Sequence, residues 1–178
     1  MALIGCKYAC FLADGENTGI ELDPLNKADI TYNTVNGTIE GDDRTVENVN
    51  FINGASVAAI NTDLLPEHAA IMFGDTKDST GNTYTVTGTD NAPYGKYGFI
   101  VAGIRNGTNY WETYLFYKAK ATRGAVNAQS RGANINLSGV SYTMECLVND
   151  DDKCLEHGRY TTEAAAVAAV HDWCGISA

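Results

Sequence analysis

The clearest alternation of apolar and polar positions runs from Tyr97 to Lys118, around the tetrapeptide Arg105-Asn106-Gly107-Thr108. Asn-Gly tolerates the positive φ that both central residues of a type I′ turn require, so it marks a two-residue β-hairpin. With Asn106-Gly107 as the turn, Ile104 opposes Asn109, Gly103 opposes Tyr110, Val101 opposes Glu112 and Phe99 opposes Tyr114. Opposed residues share a face. One face then carries Ile100, Ala102, Ile104, Trp111, Thr113, Leu115 and Tyr117, and reads as a core face. The other carries Tyr97, Phe99, Val101, Tyr110, Glu112, Tyr114, Phe116 and Lys118. That second face is too apolar for water and too polar for a deep core. Aromatic residues with a few charges are what subunit contacts use. The alternative is a second layer of the same domain packed on it.

The rest of the chain punctuates into short elements. Met1 to Ala13 is apolar and predicts a strand, or an arm that docks on a neighbour. Asp14 to Lys27 is turn-rich, with Pro24 as a breaker. Ala28 to Glu40 alternates in part, with Asn36-Gly37 predicting a bend. A turn at Gly41-Asp42-Asp43-Arg44 leads into a strand from Thr45 to Ile52. This early hairpin, residues 30–52, is long and sparsely apolar, so it has little to bury and is expected to be mobile in an isolated subunit. Ala55 to Asn61 reads as a short strand. A helix follows, with Pro66 in its first turn, Glu67 at the positive end of its dipole and Gly74 as its stop. Thr83 to Thr89, Ala133 to Leu137 and Val140 to Val148 predict strands. Thr161 to Trp173 predicts a helix, capped by Thr161 or Thr162 and ended by Gly175.

These elements add up to a single α+β domain over residues 1–178, mainly β. Eighteen glycines and ten tyrosines in 178 residues fit such a turn-rich β fold. The net charge of −10 repels nucleic acid instead of holding it, and no Lys/Arg stripe appears. No apolar run reaches the roughly 18 residues that span a bilayer. The segment Met1–Gly15 lacks the charge and apolar length of a secretory signal, so a soluble protein made in a cytoplasm is expected.

The five cysteines form no CxxC pair and are expected to be reduced, small and mostly buried. A zinc site from Cys154, His157, His171 and Cys174 is the sharper alternative, although neither pair belongs to a known zinc pattern. Asp42-Asp43 and Asp150 to Asp152 lack the ligand spacing of a calcium loop and read as solvated turns. No GxSxG, HExxH or deaminase motif occurs. His68, His157 and His171 have no nucleophile or acid at an informative spacing. Neither a catalytic residue, a cofactor nor a metal is expected.

The order of segments carries a family likeness. Ile30-Thr31-Tyr32 precedes Gly41-Asp42-Asp43-Arg44-Thr45-Val46-Glu47. Then come Asp63-Leu64-Leu65, the helix ending Phe73-Gly74, Ala92-Pro93-Tyr94 before Gly98-Phe99, the Asn106-Gly107 hairpin and Tyr114 to Lys118. Over roughly residues 28–148 this resembles the major tail proteins of long-tailed phages, in particular the phi13-type tail tube family of siphoviruses and prophages. The resemblance implies two packed antiparallel sheets forming a sandwich or partial barrel, with a flanking helix and a C-terminal helix. It implies a structural virion protein, assembled in the host cytoplasm, that forms hexameric rings stacked into a tube. Its implied partners are further copies of itself, the tape measure protein, tail initiator and terminator proteins, and DNA in non-specific passage. On that reading the face from Tyr97 to Lys118 contacts neighbouring subunits, and Asp42, Asp43 and Glu47 lie toward the lumen or the ring junctions. The competing expectations are an acidic protein-binding module and a small zinc enzyme.

Overall fold

The computed structural model describes residues 2–41, 44–78, 80, 83–125 and 139–177. The fold is α+β and mainly β. Ten strands and two helices follow in order among the described residues: β1 (Ala2–Ala13), β2 (Ile20–Glu21), β3 (Leu25–Gly41), β4 (Arg44–Asn61), α1 (Pro66–Phe73), β5 (Thr76–Lys77), β6 (Tyr84–Thr85), β7 (Tyr94–Arg105), β8 (Thr108–Arg123), β9 (Val140–Leu147), β10 (Leu155–Tyr160) and α2 (Glu163–Cys174). The main sheet has the order β2-β1-β7-β8-β9-β4-β3, with β10 continuing beside β8, and every pairing in it is antiparallel.

The central hairpin sets the register. Asn106 (φ 51°) and Gly107 (φ 79°) both take positive φ, as the two-residue turn demands. The pairs Ile104–Asn109, Gly103–Tyr110, Val101–Glu112 and Phe99–Tyr114 fall where the turn puts them. The long strand β8 then serves two neighbours along its other edge. Lys118–Arg123 pairs with β9, and Trp111–Phe116 with β10.

The sheet curls until β1 returns alongside β3, which makes a partial barrel. Inside it lie Phe11, Val57, Tyr97, Phe99, Phe116, Tyr142 and Met144, all at most 1% exposed. Helix α1 closes one end of this core with Met72 and Phe73. On the outer face, α2 lies over Tyr8, Ile100 and Leu115 through Ala166, Val170 and Cys174. Those three helix residues recur every four positions and form one stripe. Both helices end as their glycines predict: Gly74 and Gly175 take left-handed φ of 77° and 61°. Thr162 caps α2, its side chain accepting from the Ala165 N–H.

Several sequence expectations are corrected. Asn36-Gly37 makes no bend; both residues stay in the ladder, opposite Asn50 and Val49. The strand expected over Thr83–Thr89 shrinks to Tyr84–Thr85. Asp90 accepts the Thr87 N–H at 2.6 Å, which turns the chain away from a ladder. Of the two readings of the N-terminal segment, a strand or an arm, the strand holds, with Ala2–Ala13 paired inside the sheet as β1. Cys10 and Cys174 are joined in a disulfide rather than reduced. Local spacing gave no sign of that pair, because 164 residues separate its members. The expected strand Ala133–Leu137 lies outside the described residues.

Candidate assembly surface

The face expected to meet neighbouring subunits is mostly the inside of the barrel. Tyr97 and Phe116 are wholly buried, Phe99 is 1% exposed, and Val101, Tyr110 and Glu112 are also buried. Side chains covered in the isolated chain have no surface to offer a partner. The same-domain layer wins because the sheet curls over this face, and α2 covers the face that was read as the core. Tyr114 and Lys118 keep partial exposure.

Lys118 also changes sides. Gly95 pairs with Ala119 and Tyr97 with Phe116, so β8 carries one extra residue there. This bulge breaks the alternation and moves Lys118 to the outer face, where its ammonium and that of Lys120 each lie 5.3 Å from the Tyr94 ring.

Glu112 is the polar member of that face, and it is satisfied within the chain. Its carboxylate accepts from Arg159 Nε at 3.0 Å and from the Tyr114 hydroxyl at 3.1 Å, with His157 Nε2 at 3.5 Å. Burial alone would raise the carboxyl pKa. The hydrogen bonds from Arg159 and Tyr114, with the charges of His157 and Arg159, outweigh burial and hold it below its ordinary value. Burial and the Glu112 charge together push the Tyr114 phenol up to about 12. The cluster arises because the β10 register sets Arg159 against Glu112 and His157 against Tyr114. Sequence spacing held no sign of it, since 47 residues separate Arg159 from Glu112.

The exposed structure that remains unexplained is the β3–β4 hairpin. Strand β4 follows β9 only as far as the Gly54–Leu147 pair. Gly54 lies so close to β9 that a Cβ there would come 2.6 Å from the Cys146 carbonyl oxygen. Beyond that point, among the described residues, β3 and β4 pair only with each other, out to Gly41–Arg44. At ~3.3 Å per residue the arm reaches about 33 Å from Gly54 to Arg44. Residues 31–38 are all exposed.

The pairing gives the arm one mostly apolar face and one mostly polar face, on which Ile52 is the apolar exception at 54% exposed. Val35 opposes Phe51 and Gly37 opposes Val49, while Thr34–Ile52, Asn36–Asn50 and Thr38–Asn48 share the other side. Val35 is 52% and Phe51 66% exposed. The phase is informative. Within the body of the sheet, Ala28 and Ile30 pack against the barrel core, while Asp29 and Thr31 are exposed. Past Asn33 the apolar positions move to the opposite parity on β3, so the strip containing Val35 continues the side that faces away from the core. This strip cannot fold back into the chain's own barrel.

Of the acidic candidates, Asp42 and Asp43 lie outside the described residues, and Glu47 is placed by its backbone opposite Ile39 on the arm. The four zinc candidates do not form one site: the Cys174 sulfur is bonded to Cys10, and no group of three or more metal-ligating side chains occurs among the described residues. A cleft of about 730 Å³ opens between the loop after β1, α1 and the segment before β7, with Asp14, Glu16, Glu67, Asp75 and Lys77 on its walls. Among the described residues, no helix is long and apolar enough to cross a membrane. No family model and no curated protein matches this chain.

Proposed function

We propose that the chain is a self-assembling structural subunit, the tail tube protein of a long-tailed phage. Copies would close into hexameric rings that stack around a tape measure protein and later conduct DNA. The β3–β4 arm carries this reading. A two-stranded ribbon without a second layer is at best marginal in water, and this one carries an apolar strip on the side away from its own core. On this reading a second copy of the chain covers the strip. Among the described residues, the arm is the long exposed feature that a ring neighbour or the next ring would have to cover.

Further support comes from the arm segments of β3 and β4 beyond Asn33 and Gly54, which among the described residues pair only with each other and leave edges where new strand pairing can begin. The net charge of −10 suits a conduit that lets phosphates slide past. Virion location, and contacts with initiator and terminator proteins, follow only from this reading. The acidic binding module loses its support, because the aromatic face it was to use is internal.

The test is negative-stain electron microscopy, with sedimentation velocity, on protein concentrated from dilute solution. Rings or tubes whose formation requires residues 34–52 are expected. A protein that stays monomeric at millimolar concentration, and also when mixed with preformed tail tips, overturns the proposal.

A further inference from the structure

Helix α2 is held on the barrel by few large side chains. Only Ala166, Val170 and Cys174 of its twelve residues are buried. An isolated helix of this length is marginal in water. The contact also leaves polar atoms stranded: Trp111 Nε1 and Trp173 Nε1 are buried with no hydrogen-bond partner among the described residues, and both rings pack around this cluster. Unpaired buried donors weaken a contact. Ring contacts of Trp173 with Tyr117 and of His171 with Tyr8 add to the packing, and two stronger ties stand at the helix C-terminus. The Gly19 N–H donates to the Cys174 carbonyl at 2.8 Å. The Cys10–Cys174 disulfide joins the last residue of α2 to the middle of β1. A cross-link over 164 residues constrains almost the whole chain, and loops of that size gain most from closure.

We infer that Cys10–Cys174 is a redox-operated clasp, which keeps α2 docked when oxidised and lets it leave the barrel when reduced. The inference is independent of the tube reading. Closing the clasp takes a low-molecular-weight disulfide as oxidant. One cysteine thiolate attacks it, forming a mixed disulfide and releasing one thiolate, which takes up a proton. The second cysteine thiolate then displaces the other half of the reagent, so two thiols leave and one protein disulfide forms. Both protein sulfurs belong to residues that are fully buried when α2 is docked. Exchange in either direction therefore passes through a state in which the end of α2 has lifted. A chain folded in a reducing cytoplasm would carry α2 loosely and lock it on entering an oxidising medium.

The other cysteines give the thiol count that reports the clasp. Cys6, Cys146 and Cys154 are free, and burial raises the pKa of each thiol. Denatured oxidised protein should titrate three thiols, and reduced protein five.

The experiment is hydrogen–deuterium exchange on full-length protein, oxidised with glutathione disulfide or reduced with a phosphine. On reduction, amides of residues 166–174 should exchange at least about 100-fold faster, while those of Ile100 and Leu115 change far less. The variant Cys174→Ala, which keeps a small apolar residue at that site, should match reduced wild type and ignore the reductant. Five thiols after oxidation would overturn the inference. So would unchanged α2 protection on reduction, equal loss of protection in α2 and β7–β8, or a reductant response in Cys174→Ala.

Discussion

Replacing Phe51 with serine separates what the arm does for the monomer from what it would do in the proposed assembly. Phe51 is 66% exposed, so the isolated chain gains little from its ring, and unfolding in urea should shift by less than about 0.5 kcal/mol. Covering the exposed part in an assembly would remove about 130 Å² of apolar surface from water, taking ~200 Å² for a whole phenylalanine side chain. At about 25 cal/mol per Å² this is worth roughly 3 kcal/mol per contact. A loss of that size raises the concentration needed for association by about 100-fold. Val35, opposite it and 52% exposed, should behave alike with a smaller effect, about 1 kcal/mol for Val35→Ser. The assay is sedimentation velocity across a concentration series, with micrographs of the assembled fraction. Phe51→Ser protein that assembles at the wild-type threshold would refute the argument. A monomer destabilised by 2 kcal/mol would refute it equally, because Phe51 would then belong to the chain's own core.

Three further outcomes follow from the geometry. Asn61 is fully buried, donating through Nδ2 to the Leu22 carbonyl and accepting the Tyr142 hydroxyl at 2.7 Å. Asn61→Leu should therefore cost about 3 kcal/mol in urea unfolding, and Tyr142→Phe about half as much. Glu112 has a folded pKa below its unfolded value of 4.5, so its contribution is complete above that pH and is lost as pH falls through the folded value. Glu112→Gln should accordingly flatten the acid side of a stability profile below pH ~4.5 and leave the profile's shape above it unchanged. Excising residues 34–52 and closing the arm with Asn-Gly should keep the monomer within about 1 kcal/mol of wild type, as read by thermal unfolding.

The sequence was most readable where one residue pair decides local geometry. Asn106-Gly107 fixed a turn, the turn fixed a register, and four cross-strand pairs followed without further information. Gly74, Thr162 and Gly175 likewise marked helix ends by their own chemistry. Legibility failed where closure decides. Alternation tells which residues share a face, but it does not tell which face the sheet will curl around. The aromatic face became the interior because β1, β9, β4 and β3 wrap it, and α2 then covered the other side. One extra residue in β8 was enough to carry Lys118 across the sheet. Glu112 met its partners, and Cys10 met Cys174, through contacts between distant segments that leave no local trace.

The early hairpin reverses that order, since its pattern was in the sequence and only its meaning needed the structure. Ile30, Tyr32 and Thr34 look like a strand whose apolar signal fades. The ladder shows that the signal changes parity at Asn33 and resumes on Val35, with Phe51 and Val49 opposite. A strand that simply left the core would turn polar on both faces; the arm's Thr and Asn side does so apart from Ile52 at its base. A strand selected to stay soluble as an open edge would place charge or proline along that strip, and in the register of the strip from Val35 to Ile39 charge enters only at Glu47, opposite Ile39. This arm keeps two large apolar side chains more than half exposed on the side its own barrel cannot reach. That combination is costly for a monomer and useful only where another surface covers it. The assembly reading therefore rests more firmly on Val35 and Phe51 than on the aromatic hairpin that first suggested an interface.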